Sequence, residues 1–295
     1  MNDRTDIIID EECSRMIVYP SSTPDGTQTR VLEAGNPTGP AIIFVHGLAA
    51  RAERWHWNLE PVGGAGYRTL AFDLPGHGLA GRGTSVPATV EGILTTVESI
   101  IDRLVSDDSE RVLRLVGSSI GGLLCTLIAR RRPDRVASLH LSAPLGLEPL
   151  GASGRQALAG RLRQQTEVSV RKKIEALGLP SEHEIERWSR EELLANGSPE
   201  GLAYLHRMAD DLQERIDEHL IVDDLRYLSS RVPTFLYWGE RDAVVDTDIG
   251  RRAHKSLGVP LRTFANSGHA PYLSEPDRFN DCLLEDLQRS SPQRA

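Results

Sequence analysis

Along the chain, short apolar runs alternate with longer stretches whose apolar residues recur every three or four positions. "AIIFVHG" (41–47), "RTLAFDLPG" (68–76), "RVLRLVGSS" (111–119) and "VASLHLSAP" (136–144) are apolar runs ending in glycine, proline or serine. Such runs predict buried strands of a parallel sheet, because a strand covered on both faces has no polar side to show. Between them, "VEGILTTVESIIDRLVSD" (90–107) places Ile93, Val97, Ile100, Ile101 and Leu104 on one helical face. "GGLLCTLIARRRP" opens on glycines, runs apolar and stops at Arg132, since the residue before Pro133 is pushed out of the helical region. "RMIVYP" and "TRVLEAG" predict an opening hairpin.

From about Leu147 to Arg231 the chain turns charged and helical, as in "GRLRQQTEVSVRKKIEALGLP", "SEHEIERWSREELLANG" and "EGLAYLHRMADDLQERIDEHL". Then "VPTFLYWGERD" (232–242) and "LRTFANSGH" (261–269) restore the strand pattern. Alternating β and α segments predict an α/β fold: a mostly parallel, doubly wound sheet of about eight strands with helices on both faces. A helical block between strands of one sheet reads as an inserted cap. The expected organisation is therefore a core of 1–146 and 232–295 with a helical cap over 147–231; an independent helical domain is the alternative.

Composition narrows the classes. The 295 residues suit one large α/β domain, or one domain with an insertion, and 39% hydrophobic with 26% charged residues is ordinary for a soluble globular chain. A net charge of −8 argues against a nucleic-acid partner, which needs a basic footprint. Among the basic residues only Lys172, Lys173 and Lys255 are lysine, a bias that reads as codon composition. Cys13, Cys125 and Cys282 are widely spaced and form no metal pattern. With an acidic start lacking the form of a secretory signal and no apolar run long enough to cross a bilayer, the expectation is a reduced, cytoplasmic protein without membrane partners. No metal cluster, Walker loop or G-x-G-x-x-G appears, so no cofactor is implied.

The candidate chemistry begins at "LVGSSIGGLL" (115–124). G-x-S-x-G fits one frame only, with Gly117 and Gly121 flanking Ser119, so Ser118 is expected to point away into packing or a local hydrogen bond. The motif needs a strand before it and a helix after it, because the serine sits on a sharp strained turn; "RVLRLV" and "IGGLLCTLIARR" supply both. A serine nucleophile needs a base and an acid to orient it. His269 in "NSGHAPYLSEP" follows the last predicted strand, and Asp242 ends "FLYWGERD" at the strand edge where ligands collect. Asp246 and Asp248 lie past that edge, and Asp73 reads as a structural aspartate bonding turn N–H groups. Oxyanion donors are expected from the backbone N–H of Ile120 and, in "FVHGLAARAERW", of Leu48. His46 reads as a brace for that loop, and with Trp55 and Trp188 it is a candidate for the pocket wall. Trp57 near the same loop, and Trp188, Tyr204, Leu205, His206 and Met208 in the helical block, wall a pocket or simply pack.

Five segments then carry a resemblance: "VHGLA", "FDLPGHG", "GSSIGG", "GERD" and "GHAPYLSEP". Together they are similar to the capped, lipase-like members of the α/β-hydrolase superfamily, over about 40–145 and 230–285. Their chain order of nucleophile, acid and base is that of this superfamily. The resemblance implies Ser119 as nucleophile, Asp242 and His269 as its partners, and Leu48 and Ile120 as oxyanion donors. A serine at the elbow argues against dehalogenases and epoxide hydrolases, which carry aspartate there. "HGLAARAE" lacks the extra glycine and asparagine of many carbon–carbon hydrolases, and the HGGG form of many lipases is missing. The expected activity is ester or lactone hydrolysis of a small, partly apolar molecule by a monomer or homodimer. Carbon–carbon hydrolysis of a vinylogous diketone, cofactor-independent oxygenation or perhydrolysis, and low-turnover ligand binding are the alternatives.

Overall fold

The strand-like runs fold as β1 (Ile17–Ser22), β2 (Gln28–Gly35), β3 (Ala41–Val45), β4 (Arg68–Phe72), β5 (Leu113–Ser118), β6 (Val136–Ser142), β7 (Thr234–Gly239) and β8 (Leu261–Phe264). This computed structural model describes residues 16–24, 26–105 and 112–290. The acidic start with Cys13, the last residues of the expected 90–107 helix, the first of the 111–119 strand, and the polar end from 291 lie outside the described residues. The strands make one eight-stranded sheet in the order β1-β2-β4-β3-β5-β6-β7-β8. The β1–β2 hairpin and the β2–β4 pair are antiparallel; every pairing from β4–β3 to β7–β8 is parallel.

The unbroken apolar runs are explained by burial on both faces. Along β3, Ile43 and Val45 join one apolar cluster while Ile42 and Phe44 join the other, as side chains alternate along a strand. The helices cover both faces: α1 (His56–Gly64), α2 (Val90–Leu104), α3 (Ile120–Arg131), α4 (Gly151–Arg163), α5 (Glu167–Glu175), α6 (Glu182–Asn196), α7 (Pro199–Arg215), α8 (Val222–Leu228), α9 (Thr247–Leu257), α10 (Pro271–Ser274) and α11 (Pro276–Arg289). The starts of α5, α6 and α7 are written in the sequence. Thr166, Ser181 and Ser198 each accept a hydrogen bond from a backbone N–H of the first turn, a cap worth about 1 kcal/mol.

The helical block between β6 and β7 has no core of its own. Ala159, Leu162, Leu205 and Met208 merge into one sheet cluster; Val170, Ile174 and Trp188 merge into the other. Tyr204, Leu205 and Met208 are therefore packing residues, and His206 is exposed. Within the block α4 packs on α7 and α5 on α6, whereas α8 packs against α3 and α9. The layer above the strand ends is thus α4–α7, and α8 belongs to the helices that cover the sheet.

Candidate active site

The sharp turn between β5 and α3 holds Ser119 at φ 56° and ψ −119°, a conformation that costs an L-residue about 1–3 kcal/mol. Its flanking glycines allow that turn to form. A side chain on Gly117 would run into the backbone of Gly121 and Gly122, and one on Gly121 into the carbonyls of Val45 and His46. The Ser119 N–H donates to the Ser142 carbonyl at 3.0 Å, which fixes the turn against β6. Ser118 is buried and hydrogen-bonded with Tyr272, yet it also lines the cavity that holds Ser119, so it does not point fully away.

His269 faces the same cavity as Ser119, without a direct hydrogen bond between them among the described residues. Its Nδ1 lies 2.8 Å from Asp242 Oδ2, and the Asp242 side chain is fully buried. The other carboxylate oxygen accepts from the Val244 and Val245 N–H groups at 2.8 and 3.0 Å. A carboxylate acceptor requires Nδ1 to carry the proton, which leaves Nε2 as a base. The competing acids are engaged elsewhere. Asp246 caps α9, Asp248 pairs with Arg251, and buried Asp73 accepts from the Ala52 and Leu79 N–H groups while meeting Arg30.

The loop after β3 runs beside the elbow. A Cβ built on Gly47 would sit 3.4 Å from Ser119 Cβ and 4.0 Å from its Oγ, ordinary contact distances, so the loop runs directly beside the nucleophile position. Among the described residues, the N–H groups of Leu48 and Ile120 make no backbone hydrogen bond. His46 braces this loop: Nδ1 donates to the Gly47 carbonyl at 2.8 Å and Nε2 accepts from the Leu74 N–H at 2.9 Å. Burial pushes its pKa down to about 4, so the ring stays neutral.

A cavity of about 490 Å³ opens above Ser119 and His269, closed on the other side by α4 and α5. None of the three residues expected on its wall is there. His46 lies behind the loop. Trp55 is fully buried and stacked on Tyr272 at 4.0 Å, and Trp188 is buried beneath Arg54, whose guanidinium sits 4.6 Å from its ring centre. The Trp55 and Trp188 rings turn into the packing because burying a large apolar ring gains more than exposing it to a wet cavity. Sequence reasoning missed Tyr272 and four basic wall residues, Arg54, Arg161, Lys172 and Lys173. One signal was available: in a chain whose cations are nearly all arginine, two of the three lysines stand side by side.

Residues 42–282 match the alpha/beta hydrolase family, and the chain belongs to it. Fold and family together define a hydrolase of this class. Among its relatives is a pimeloyl-[acyl-carrier protein] methyl ester esterase of Neisseria meningitidis serogroup B, 27% identical over 81% of this chain and 89% of that one. A 2-hydroxy-6-oxononadienedioate/2-hydroxy-6-oxononatrienedioate hydrolase of Burkholderia vietnamiensis is 25% identical over 97% of this chain and 100% of that one. In three dimensions, the 2-hydroxy-6-oxo-6-phenylhexa-2,4-dienoate hydrolase of a Rhodococcus species superposes with a TM-score of 0.81 at 20% identity, over 92% of this chain and 99% of that one. Among the described residues no helix is long and apolar enough to cross a membrane.

Proposed function

We propose that the chain is a serine hydrolase that cleaves an ester or lactone of a small, partly apolar molecule through an acyl-enzyme on Ser119, under a cap formed by α4–α7. The observation that carries this reading is the shared cavity: Ser119 on its strained turn faces a histidine already oriented by a buried carboxylate. His269 Nε2 takes the Ser119 proton as Oγ attacks the acyl carbon, and Asp242 stabilises the imidazolium that results. The N–H groups of Leu48 and Ile120 receive the negative charge on the former carbonyl oxygen, each worth about 3–4 kcal/mol in such sites. His269 then protonates the leaving alkoxide, activates a water against the acyl-enzyme, and returns the proton to Ser119. The same groups suffice for both half-reactions, and no step calls for a cofactor.

Labelling with a fluorophosphonate, mapped by mass spectrometry, tests the nucleophile. The expected result is one modified peptide containing Ser119, absent in Ser119→Ala, together with turnover of p-nitrophenyl butyrate that the same substitution abolishes. A folded protein that resists the label would falsify the acyl-enzyme reading and favour ligand binding or oxygenation. A second reading, carbon–carbon hydrolysis of a vinylogous diketone, is favoured by the near full-length similarity to the Burkholderia hydrolase. Faster cleavage of such a diketone than of any ester tested would select it.

A further inference from the structure

In a chain of net charge −8, the cavity wall carries Arg54, Arg161, Lys172 and Lys173, and its lining contains no aspartate or glutamate. Arg161 and Lys172 are exposed, so they stand at the mouth. The inner pair is different. Arg54 is only 4% exposed and the Lys173 side chain 21%. Both meet the single carboxylate of Glu192: Arg54 Nη2 donates to Oε2 at 2.9 Å, and Lys173 Nζ contacts Oε1. Arg54 and Lys173 thus share one carboxylate partner, and burial beside Arg54 pushes the Lys173 pKa well below its ordinary value, so an anion beside them would favour its charged form.

One donor of this pair is left without an acceptor. Arg54 Nη1 is buried with no hydrogen-bond partner among the described residues, on a residue that lines the cavity. A guanidinium cannot shed the proton to escape the cost of an unpaired N–H. The Trp188 ring under the guanidinium keeps it from swinging elsewhere to find an acceptor. Arg54 therefore carries a fixed, unsatisfied, charged donor at the cavity wall.

We propose that Arg54 and Lys173 form a seat for a carboxylate of the substrate, and that Arg161 and Lys172 draw this anion to the mouth. The flat, two-oxygen edge of a carboxylate suits a guanidinium donor. Resting on the hydrolase reading above, the substrate class becomes an ester that also bears a free carboxylate, such as a half-ester of a dicarboxylic acid.

Binding and turnover are measured separately so that the two readings fail separately. By titration calorimetry on the full chain, adipate is expected to bind at least tenfold more tightly than neutral adipamide. Lys173→Met is expected to remove that preference and Lys173→Arg to retain it. Arg54→Met is expected to do the same if it folds, and Lys173→Met carries the test if it does not. Equal binding of adipate and adipamide, unchanged adipate binding in Lys173→Met, or tighter binding of inorganic phosphate than of adipate overturns the carboxylate seat. In turnover, monomethyl adipate is expected to exceed methyl hexanoate at least tenfold in kcat/KM, with the ratio falling toward one in Lys173→Met while Ser119 still takes the fluorophosphonate. A protein that binds adipate in this pattern but resists the label refutes the hydrolase reading alone.

Discussion

Asp242 has no freedom left. Its buried carboxylate accepts two backbone N–H groups on one oxygen and the His269 ring on the other. Asp242→Asn would keep the shape and offer an amide that can donate to Nδ1, turning the ring to the tautomer with Nε2–H. A base that has its proton already cannot take the one from Ser119. The expected loss is on the order of 10³–10⁴-fold in kcat with little change in thermal stability, read from ester kinetics beside a melting curve. A loss below tenfold would mean that the ring is oriented by something else. At this scale the sequence was legible where chemistry forces spacing. The elbow needs glycine at 117 and 121, and Asp242 and His269 follow β7 and β8 where the strand pattern ends. The wall was not legible, because nothing in "ERWHW" says that Arg54 reaches the cavity while Trp55 turns into the core. That choice is made by Phe44, Tyr272 and Phe279, which surround the Trp55 ring and come from distant parts of the chain.

Among elements, the layer above the cavity is tied to both loops that flank Ser119. On one side α6 holds the loop after β3: Asn196 Nδ2 donates to the Ala49 carbonyl at 3.0 Å, Arg51 to the Glu191 carbonyl at 3.2 Å, and Arg54 pairs with Glu192. On the other, the turn after α5 holds the histidine loop. The His269 and Ala270 N–H groups donate to the carbonyls of Ala176 and Leu177 at 3.0 and 3.3 Å. The two backbones touch there only because both carry glycine. Gly178 has φ +81°, and a Cβ on it would reach within 3.0 Å of Gly268 Cα. Gly178→Ala therefore strains its own backbone and pushes on the loop that carries His269. The expected cost is about 1–3 kcal/mol in stability. A fall in kcat larger than the rise in KM should accompany it, since His269, the proposed base, rather than the pocket is displaced. An unchanged melting temperature and kcat would show that the turn is free to move away. The elements themselves were readable from apolar period and from capping serines and threonines. That α8 belongs to the sheet layer was not, because its packing on α3 is a long-range contact with no local pattern.

For the molecule as a whole, acid is the condition that its interior tolerates least. His46, His77 and His140 are fully buried, and burial pushes their pKa values down to about 4, about 3 and about 3. Each ring has neutral work to do: His46 holds the loop beside Ser119, His77 donates to the Pro75 carbonyl, and His140 joins Ser138 to Tyr237 inside the sheet. In the unfolded chain all three would take up protons near pH 6.5. Between that pH and the folded values the unfolded state binds more protons, so stability is fully present above about 6.5 and falls as pH drops. Each histidine contributes a slope of about 1.4 kcal/mol per pH unit, and three together about 4. A typical reserve of about 5–15 kcal/mol would be spent within a few pH units below neutrality. Thermal melts between about pH 7.5 and 4.5 should therefore show a steep decline beginning near 6.5. His77→Gln should reduce that slope by about 1.4 kcal/mol per pH unit, whatever it costs at neutral pH, because one titrating group is gone. A melting temperature that stays level down to about pH 5 would mean that the three rings are not held neutral by burial, and the bracing assigned to His46 would fall with it.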